Sequence, residues 1–228
     1  MYYYYDWTYV FILLGVLISF ITSIVLKATF SKYSKLGTIK GLTAEQAAAQ
    51  ILQNAGINDV SISRVRGNLT DHYSPSEKVL RLSDSVYGHS SIAAIGVAAH
   101  ECGHAIQHHE KYAPLGMRSM AVPLARFGST GSYIAVVAGL ILDKIQLLEF
   151  GIFLFLFVVF FQLITLPVEF NASKRAIKTL DSMMILQGDE VRGARKVLKA
   201  AAMTYVAAMI STLLQLLRLI LISQRRRK

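Results

Sequence analysis

The sequence predicts an α+β protein that is mainly α-helical and integral to a membrane, with a small antiparallel sheet. Hydrophobic residues make up 54% of the 228 residues, which exceeds the roughly 45–50% apolar content of average chains. Apolar runs long enough to cross a bilayer alternate with polar segments. Between them, alternating apolar and polar residues within 60–83 predict the strands of the sheet.

The charge distribution favours a lipid bilayer as a partner. The formal net charge is +10, and the basic residues flank apolar runs rather than forming a stripe with interleaved aromatic residues. This arrangement is typical of membrane proteins and argues against a nucleic-acid partner. The one cysteine, Cys102, cannot form an intrachain disulfide, so an oxidising compartment is not implied.

Residues 1–26 predict an N-terminal transmembrane anchor. Residues 7–26 carry no charge and would form a helix of about 30 Å, and the aromatic residues Tyr2 to Tyr5 before them suit a membrane interface. A cleavable signal peptide is the alternative, but the chain lacks its basic start and its A-x-A-like site. The positive-inside rule places the N-terminus outside and the next segment in the cytoplasm, because four lysines follow the anchor: Lys27, Lys32, Lys35 and Lys40.

Residues 27–120 are expected to form a cytoplasmic domain. A short helix is predicted over 43–54, with Thr43 as N-cap, Gln46 three residues later and Gly56 after its end. An edge of the following sheet can bind an extended peptide through main-chain hydrogen bonds. The alternative is that the sheet only covers the next helix. Three strands are predicted, at 60–65, 69–73 and 78–83, and a hairpin turn at 74–77 joins the last two.

Residues 121–168 predict a transmembrane hairpin. Its apolar runs, 121–142 and 150–168, lie on either side of a polar turn at 143–149. We expect this turn on the outer side of the membrane, opposite the cytoplasm. Segments 27–120 and 169–202 contain ten and seven Lys or Arg residues, against one in the turn. Both segments are therefore expected on the cytoplasmic face.

Residues 203–228 predict a fourth helix followed by a basic tail. If 203–222 span the membrane, the tail is exported against the positive-inside rule. The alternatives are a helix that dips into the membrane and returns, or one that lies in the interface with its arginines extended toward water.

Residues 98–109 contain the pattern His100-Glu101-x-x-His104 in a run that predicts a helix over 92–110, capped by Ser90 or Ser91. Because an α-helix turns about 100° per residue, both histidines leave the same face, one turn apart. Two neutral imidazoles so placed can chelate zinc, and Glu101 can reach a zinc-bound water without becoming a ligand. The pattern predicts a zinc hydrolase; the alternative is a polar patch on a helix.

Other polar residues near the pattern receive no metal role. Cys102 leaves a different side of the helix from His100. His108 and His109 lie a further turn along the axis, so we expect both at the rim of the site. The longer pattern with a third histidine fails, because Gln107 and Glu110 occupy the positions of its glycine and last histidine.

The third protein ligand that a catalytic zinc requires is predicted to be Glu169. It follows the second run of the hairpin and lies on the same expected face as the motif. Pro167 suits the first turn of a helix starting there, and Ala172 would allow a close approach to the motif helix. The alternative is an interfacial carboxylate neutralised by Lys174 or Arg175.

These residues together resemble the integral-membrane glutamate-zincins, such as the CAAX prenyl proteases and the heat-shock membrane proteases. Residues 69–73, 80–83 and 86–87 make the chain more closely similar to the YugP-type membrane zinc metallopeptidases of bacteria. The resemblance covers nearly the whole chain and is specific through 69–110 and 165–176. It implies a zincin-like catalytic domain, with zinc bound by His100, His104 and Glu169 and with Glu101 as the catalytic carboxylate.

One departure from the broader group concerns the residue four positions after the ligand glutamate, which is usually aspartate and here is Ser173. The group that orients a ligand histidine is therefore expected to be Asn171, as an amide substitute, or another residue such as Asp71.

The expected activity is that of an endopeptidase, in which Glu101 takes a proton from water and later passes it to the leaving amine. The developing oxyanion needs a further donor, and the candidates are His72, Tyr73 and Arg175. Expected substrates are membrane proteins or peptides near the bilayer, cleaved at the cytoplasmic face of the plasma membrane.

Two other functions remain open. A non-catalytic zinc-binding membrane scaffold or regulator would have no need of Glu101. A transporter is suggested by Arg126 and Arg218 within apolar runs, although the chain has no internal repeat and no acidic partner in those runs.

Overall fold

The computed structural model describes residues 6–227 and confirms a mainly α-helical α+β protein. Tyr2 to Tyr5 and Lys228, which belong to the predicted anchor and basic tail, lie outside the described residues. The elements in chain order are α1 (Tyr9–Ser34), α2 (Ala44–Asn54), β1 (Ser61–Val65), β2 (His72–Ser74), β3 (Val79–Ser83), α3 (Ile92–His109), α4 (Ala113–Ile141), α5 (Ile145–Ser182) and α6 (Asp189–Arg226).

Within residues 6–227, four helices are long and apolar enough to cross a membrane: α1, α4, α5 and α6. Each predicted apolar run lies within one of them except for one or two residues at the start of α1 and the end of α4. The turn between α4 and α5 is shorter than predicted, because α5 already begins at Ile145 and contains Glu149. The expectation for Pro167 is wrong, since this residue lies inside α5. A proline removes one backbone donor, and a long packed helix can continue past it.

The chain divides into two compact units. The first contains the described parts of 1–23, 117–166 and 204–228, and the second contains 24–116 and 167–203. In the first unit, small residues allow close helix contacts, as in many membrane proteins. A Cβ on Gly128 would lie 2.6 Å from the Leu154 carbonyl oxygen, so the backbones of α4 and α5 are in close contact there.

The C-terminal arginines of the first unit have acidic partners. Arg225 lies 3.8 Å from Asp6, Arg226 lies 2.7 Å from Asp143, and Arg227 pairs with Glu149. Helix α6 is continuous to Arg226, which argues against the alternative of a segment that dips into the membrane and returns. These contacts place the basic tail beside Asp6 and the α4–α5 turn.

The second unit holds the sheet and α3 around one apolar core. The predicted caps are present: the Gln46 side chain accepts the Thr43 N–H at 3.0 Å, and Gly56 follows α2 with a φ of +71°. Ser91, rather than Ser90, caps α3 by accepting the Ala94 N–H at 3.2 Å. The largest fully buried apolar side chains of this unit are Ile51, Leu80, Leu82, Val86, Ile95, Val168, Leu180, Ile185 and Leu186.

The sheet is mixed, with strand order β1-β3-β2. β2 and β3 form the predicted antiparallel hairpin, but β1 pairs with β3 in parallel, so an entirely antiparallel sheet is wrong. The connection before β2 carries the chain to the far edge of β3. Asp84 holds that connection by accepting the Gly67 N–H at 2.9 Å, and Asp71 holds its end by accepting the Ser83 N–H at 2.7 Å.

Candidate metal centre

The histidine pair of the motif lies on one face of α3, as predicted. The opposite face is buried in the core through residues such as Ile95, Ala98 and Cys102. The His100 and His104 rings meet edge to face, with centroids 4.8 Å apart. A rigid helix therefore holds both imidazoles toward α5.

A close contact between α3 and α5 brings a carboxylate to these rings. Gly103 lies so near the α5 backbone that a Cβ on it would stand 2.7 Å from the Ala172 carbonyl oxygen. Ala172 is fully buried, as expected for a residue that allows close approach. Glu169 lies about one helical turn earlier on α5 and thus comes opposite the histidine pair.

The structure brings His100, His104 and Glu169 together into a group that could hold a metal ion. One Glu169 carboxylate oxygen lies 3.2 Å from His100 Nε2 and 3.6 Å from His104 Nε2. The three donor atoms all lie within 4.8 Å of one another. The Glu169 side chain is only 2% exposed. Burying a carboxylate costs free energy unless it is paired or coordinates a metal, so its burial beside the histidines favours a metal site.

Hydrogen bonds to the other ring nitrogens suit metal binding. Gln107 donates from Nε2 to the Val168 carbonyl at 2.8 Å, so its Oε1 must face His104 Nδ1, at 3.0 Å. His104 then carries its proton on Nδ1 and keeps the Nε2 lone pair. Ser173 Oγ lies 3.1 Å from His100 Nδ1 and can accept a hydrogen bond from its proton, which likewise keeps the Nε2 lone pair of that ring. Two imidazole nitrogens and one carboxylate form a donor set that zinc prefers.

The electrostatics of the group also favour a cation. Burial alone would lower the pKa of His104, but the hydrogen bond to Glu169 and the nearby charges of Glu101 and Glu169 raise it above its ordinary value. The same field that stabilises an added proton stabilises a metal cation.

The predicted partners of the histidines need correction. Among residues 6–227, Asn171 makes no hydrogen bond to a histidine; its Oδ1 accepts from Gln107 Nε2 at 2.9 Å and from Arg175 Nε at 2.7 Å. Asp71 is bonded to Ser83 instead, and burial raises its pKa. Ser173 and Gln107 contact the Nδ1 atoms of the two rings instead. Ser173 lies four residues after Glu169 on α5, and Gln107 lies three residues after His104 on α3, so each shares a helix face with a ligand candidate.

The remaining predicted residues are not part of this three-residue group. Glu101 is buried next to His100. Tyr73 Oη lies 2.9 Å from His108 Nδ1, and His72 Nδ1 lies 2.9 Å from the Thr70 carbonyl oxygen, so these contacts place both outside the three-residue group. His108 and His109 are exposed, as expected of rim residues.

The contacts of Arg175 and Cys102 bear on the roles considered for them from the sequence. Arg175 pairs with Glu110 at 2.7 Å, so it is engaged away from Glu169. Cys102 Sγ is directed to the Ala48 carbonyl oxygen of α2, consistent with the expectation that it is not a metal ligand.

Comparison with known proteins places the chain in a family. The family model described as "Putative neutral zinc metallopeptidase" matches residues 8–224. A curated relative, "Putative membrane protease YugP" of Bacillus subtilis (strain 168), is 46% identical over 205 residues, which are 90% of this chain and 91% of the relative. No match was found among solved structures. The chain therefore belongs to the family that this model describes and, with its apolar helices, is a membrane protein.

Proposed function

We propose that this protein is a zinc-dependent endopeptidase of the membrane, in which His100, His104 and Glu169 hold the metal. The observation that carries the proposal is the meeting of three donor atoms within 4.8 Å, contributed by two helices. Two of these residues come from one motif, whereas Glu169 is 69 residues away from His100 in sequence. A scaffold role would explain the metal but not the buried carboxylate of Glu101 beside it.

Zinc in such a donor set supplies Lewis acidity, which polarises a carbonyl and makes a water molecule acidic. Glu101 is the base that accepts the proton of the attacking water and then donates it to the leaving amine. Gln107 and Ser173 act through the histidines: each fixes an imidazole orientation and keeps the Nε2 lone pair on the side of Glu169, where it can bind the metal.

The substrates that we propose are membrane proteins or peptides near the bilayer. β2 is an edge strand, because only β3 pairs with it among the described strands. Tyr73 of this strand contacts His108 of α3, so an extended peptide paired with β2 would run beside the helix that carries the motif. His72 and Tyr73 remain our candidates for the oxyanion donor.

The topology that we propose has the N-terminus, the α4–α5 turn and the basic tail outside, and the metal centre in the cytoplasm at the plasma membrane. The distribution of Lys and Arg supports this arrangement for the two large polar segments. The exported tail is accommodated because Asp6, Asp143 and Glu149 compensate its arginines.

The Glu101→Gln variant tests the catalytic proposal. We expect detergent-purified Glu101→Gln to retain zinc at the wild-type ratio and to cleave fluorescein-labelled casein at least about 100-fold more slowly, since the base is lost. Glu110→Gln, which changes the exposed carboxylate at the C-cap of the same helix, is the control and should cleave normally. Full cleavage by Glu101→Gln would reject the peptidase mechanism, and wild-type protein that carries zinc without cleaving would favour a scaffold.

A further inference from the structure

A basic cleft lies between α1 and α6, within the second unit. Its volume is about 470 Å³. Each helix contributes residues at spacings of three and four, so each presents one stripe to the cleft. The stripes include Val25, Ala28 and Lys32 of α1, and Lys196, Lys199 and Met203 of α6.

The cleft exists because small residues hold the two helices close and leave a hollow between them. A Cβ on Gly193 would lie 2.8 Å from the Tyr33 ring, so α6 packs directly on this aromatic side chain. Tyr33 is buried and forms part of the lining. Ala28 and Ala200, further along the stripes, are too short to fill the space.

The charge of the cleft is uncompensated. Within residues 6–227, none of Lys32, Lys196 and Lys199 forms an ion pair, and no acidic residue lines the cleft. The acids at the start of α6 are engaged elsewhere: Asp189 pairs with Arg192, and Glu190 accepts the Ile39 N–H at 2.6 Å. The cleft is therefore lined by three lysines and by no acidic side chain, and Lys32 Nζ lies 5.7 Å from the centroid of the Tyr33 ring in the same lining.

The other end of the cleft is apolar. Val25 is 50% exposed and Met203 is 40% exposed, and these residues belong to the apolar runs of α1 and α6. From Val25 to Lys32 a helix rises about 10 Å. That distance suits a lipid whose acyl chains lie at the apolar end and whose phosphate lies among the lysines.

We propose that this cleft binds one anionic glycerophospholipid of the membrane. Lys32, Lys196 and Lys199 contact the phosphate and headgroup, and an acyl chain packs along Val25, Ala28 and Met203. Charge complementarity selects the occupant, since a zwitterionic lipid would leave most of the positive charge uncompensated. This site is separate from the metal centre and does not depend on peptidase activity.

Native mass spectrometry of the full chain, with phosphatidylglycerol or phosphatidylcholine added to detergent micelles, tests the proposal. We expect one phosphatidylglycerol to remain bound, at least tenfold tighter than phosphatidylcholine. Combined replacement of Lys32, Lys196 and Lys199 by alanine should weaken phosphatidylglycerol binding at least tenfold. The matched control replaces Lys27, Lys35 and Lys40, which do not line the cleft, and should weaken it less than twofold. Equal losses in the two triple variants would overturn the proposal.

A variant without charge change separates a built site from general attraction. Ala28→Phe fills the cleft and keeps every lysine, so we expect it to lose phosphatidylglycerol while retaining the wild-type melting temperature and zinc content. Unchanged lipid binding by this variant would overturn the proposal. Soluble glycerol phosphate at millimolar concentration should not displace the lipid; complete displacement would mean that the site takes a free phosphate instead.

Discussion

Gly103 of α3 lies against Ala172 of α5 with no room for a side chain between the two backbones, since a Cβ on Gly103 would stand 2.7 Å from the Ala172 carbonyl oxygen. This contact sets the separation of the two helices at the point where one carries the histidine pair and the other carries Glu169. The geometry of the metal centre therefore depends on a residue that offers no donor atom.

Gly103→Ala should force α3 and α5 apart. We expect a loss of about 1–3 kcal/mol in the free energy of unfolding, as for other overpacked cores, together with weaker zinc binding. Gly96→Ala on the same helix is the control, because its Cβ would meet the Ala194 side chain at 3.3 Å rather than a backbone oxygen. Thermal unfolding and chelator competition measure both effects; equal behaviour of the two variants would show that the contact does not set the centre.

Gln107→Leu should weaken zinc binding by about 10–100-fold, the range found when partners of ligand histidines are removed. The substitution leaves the His104 Nδ1–H and the Val168 carbonyl without the Gln107 amide, in a fully buried position. Gln53→Leu, at an exposed position of α2, is the control. Competition with a chromophoric chelator at fixed pH gives the affinity, and unchanged zinc affinity in folded Gln107→Leu would remove its positioning role.

Ser173 offers a comparison of two substitutions at one site. Ser173→Ala should weaken zinc binding by up to about tenfold, because it removes the partner of His100 Nδ1. Ser173→Asp should bind zinc more tightly than Ser173→Ala, since a carboxylate makes a stronger, charge-assisted hydrogen bond to the ring N–H. The reverse order of affinities would mean that Ser173 does not orient His100.

Cysteine labelling can test the proposed topology in the wild-type background. Burial raises the pKa of the Cys102 thiol, and Glu101 adds to this effect, so the native cysteine should not react with a membrane-impermeant maleimide. We expect Asp143→Cys and Gln224→Cys to be labelled in intact cells, and Lys35→Cys only after permeabilisation. Labelling of Lys35→Cys in intact cells would place the metal centre outside.

The part of the centre that follows from local periodicity was predictable. His100 and His104 share a face because of their spacing alone, and Glu169 was expected from its position after an apolar run. Gln107 breaks the longer zinc motif in the sequence, although its place three residues after His104 is the signal for a histidine partner. That role depends on hydrogen bonds to the Val168 carbonyl and to Asn171 of α5, which is distant in sequence. Residue spacing within α3 alone cannot predict these contacts.

The sheet and α5 show two further limits of sequence reasoning. Alternation of polar residues predicts strands but carries no information on pairing direction, so the parallel partner of β3 was missed. Pro167 has the properties of a helix start, yet the apolar run before it continues through it because packing outweighs one lost donor.

The central claim is that Glu169 completes a zinc site with the histidine pair, and metal content tests it most directly. Elemental analysis of detergent-purified protein should find about one zinc per wild-type chain and a marked loss in Glu169→Ala, with Glu110→Ala as the exposed-carboxylate control. Zinc unchanged in folded Glu169→Ala would contradict the account, because the carboxylate would then not be a ligand.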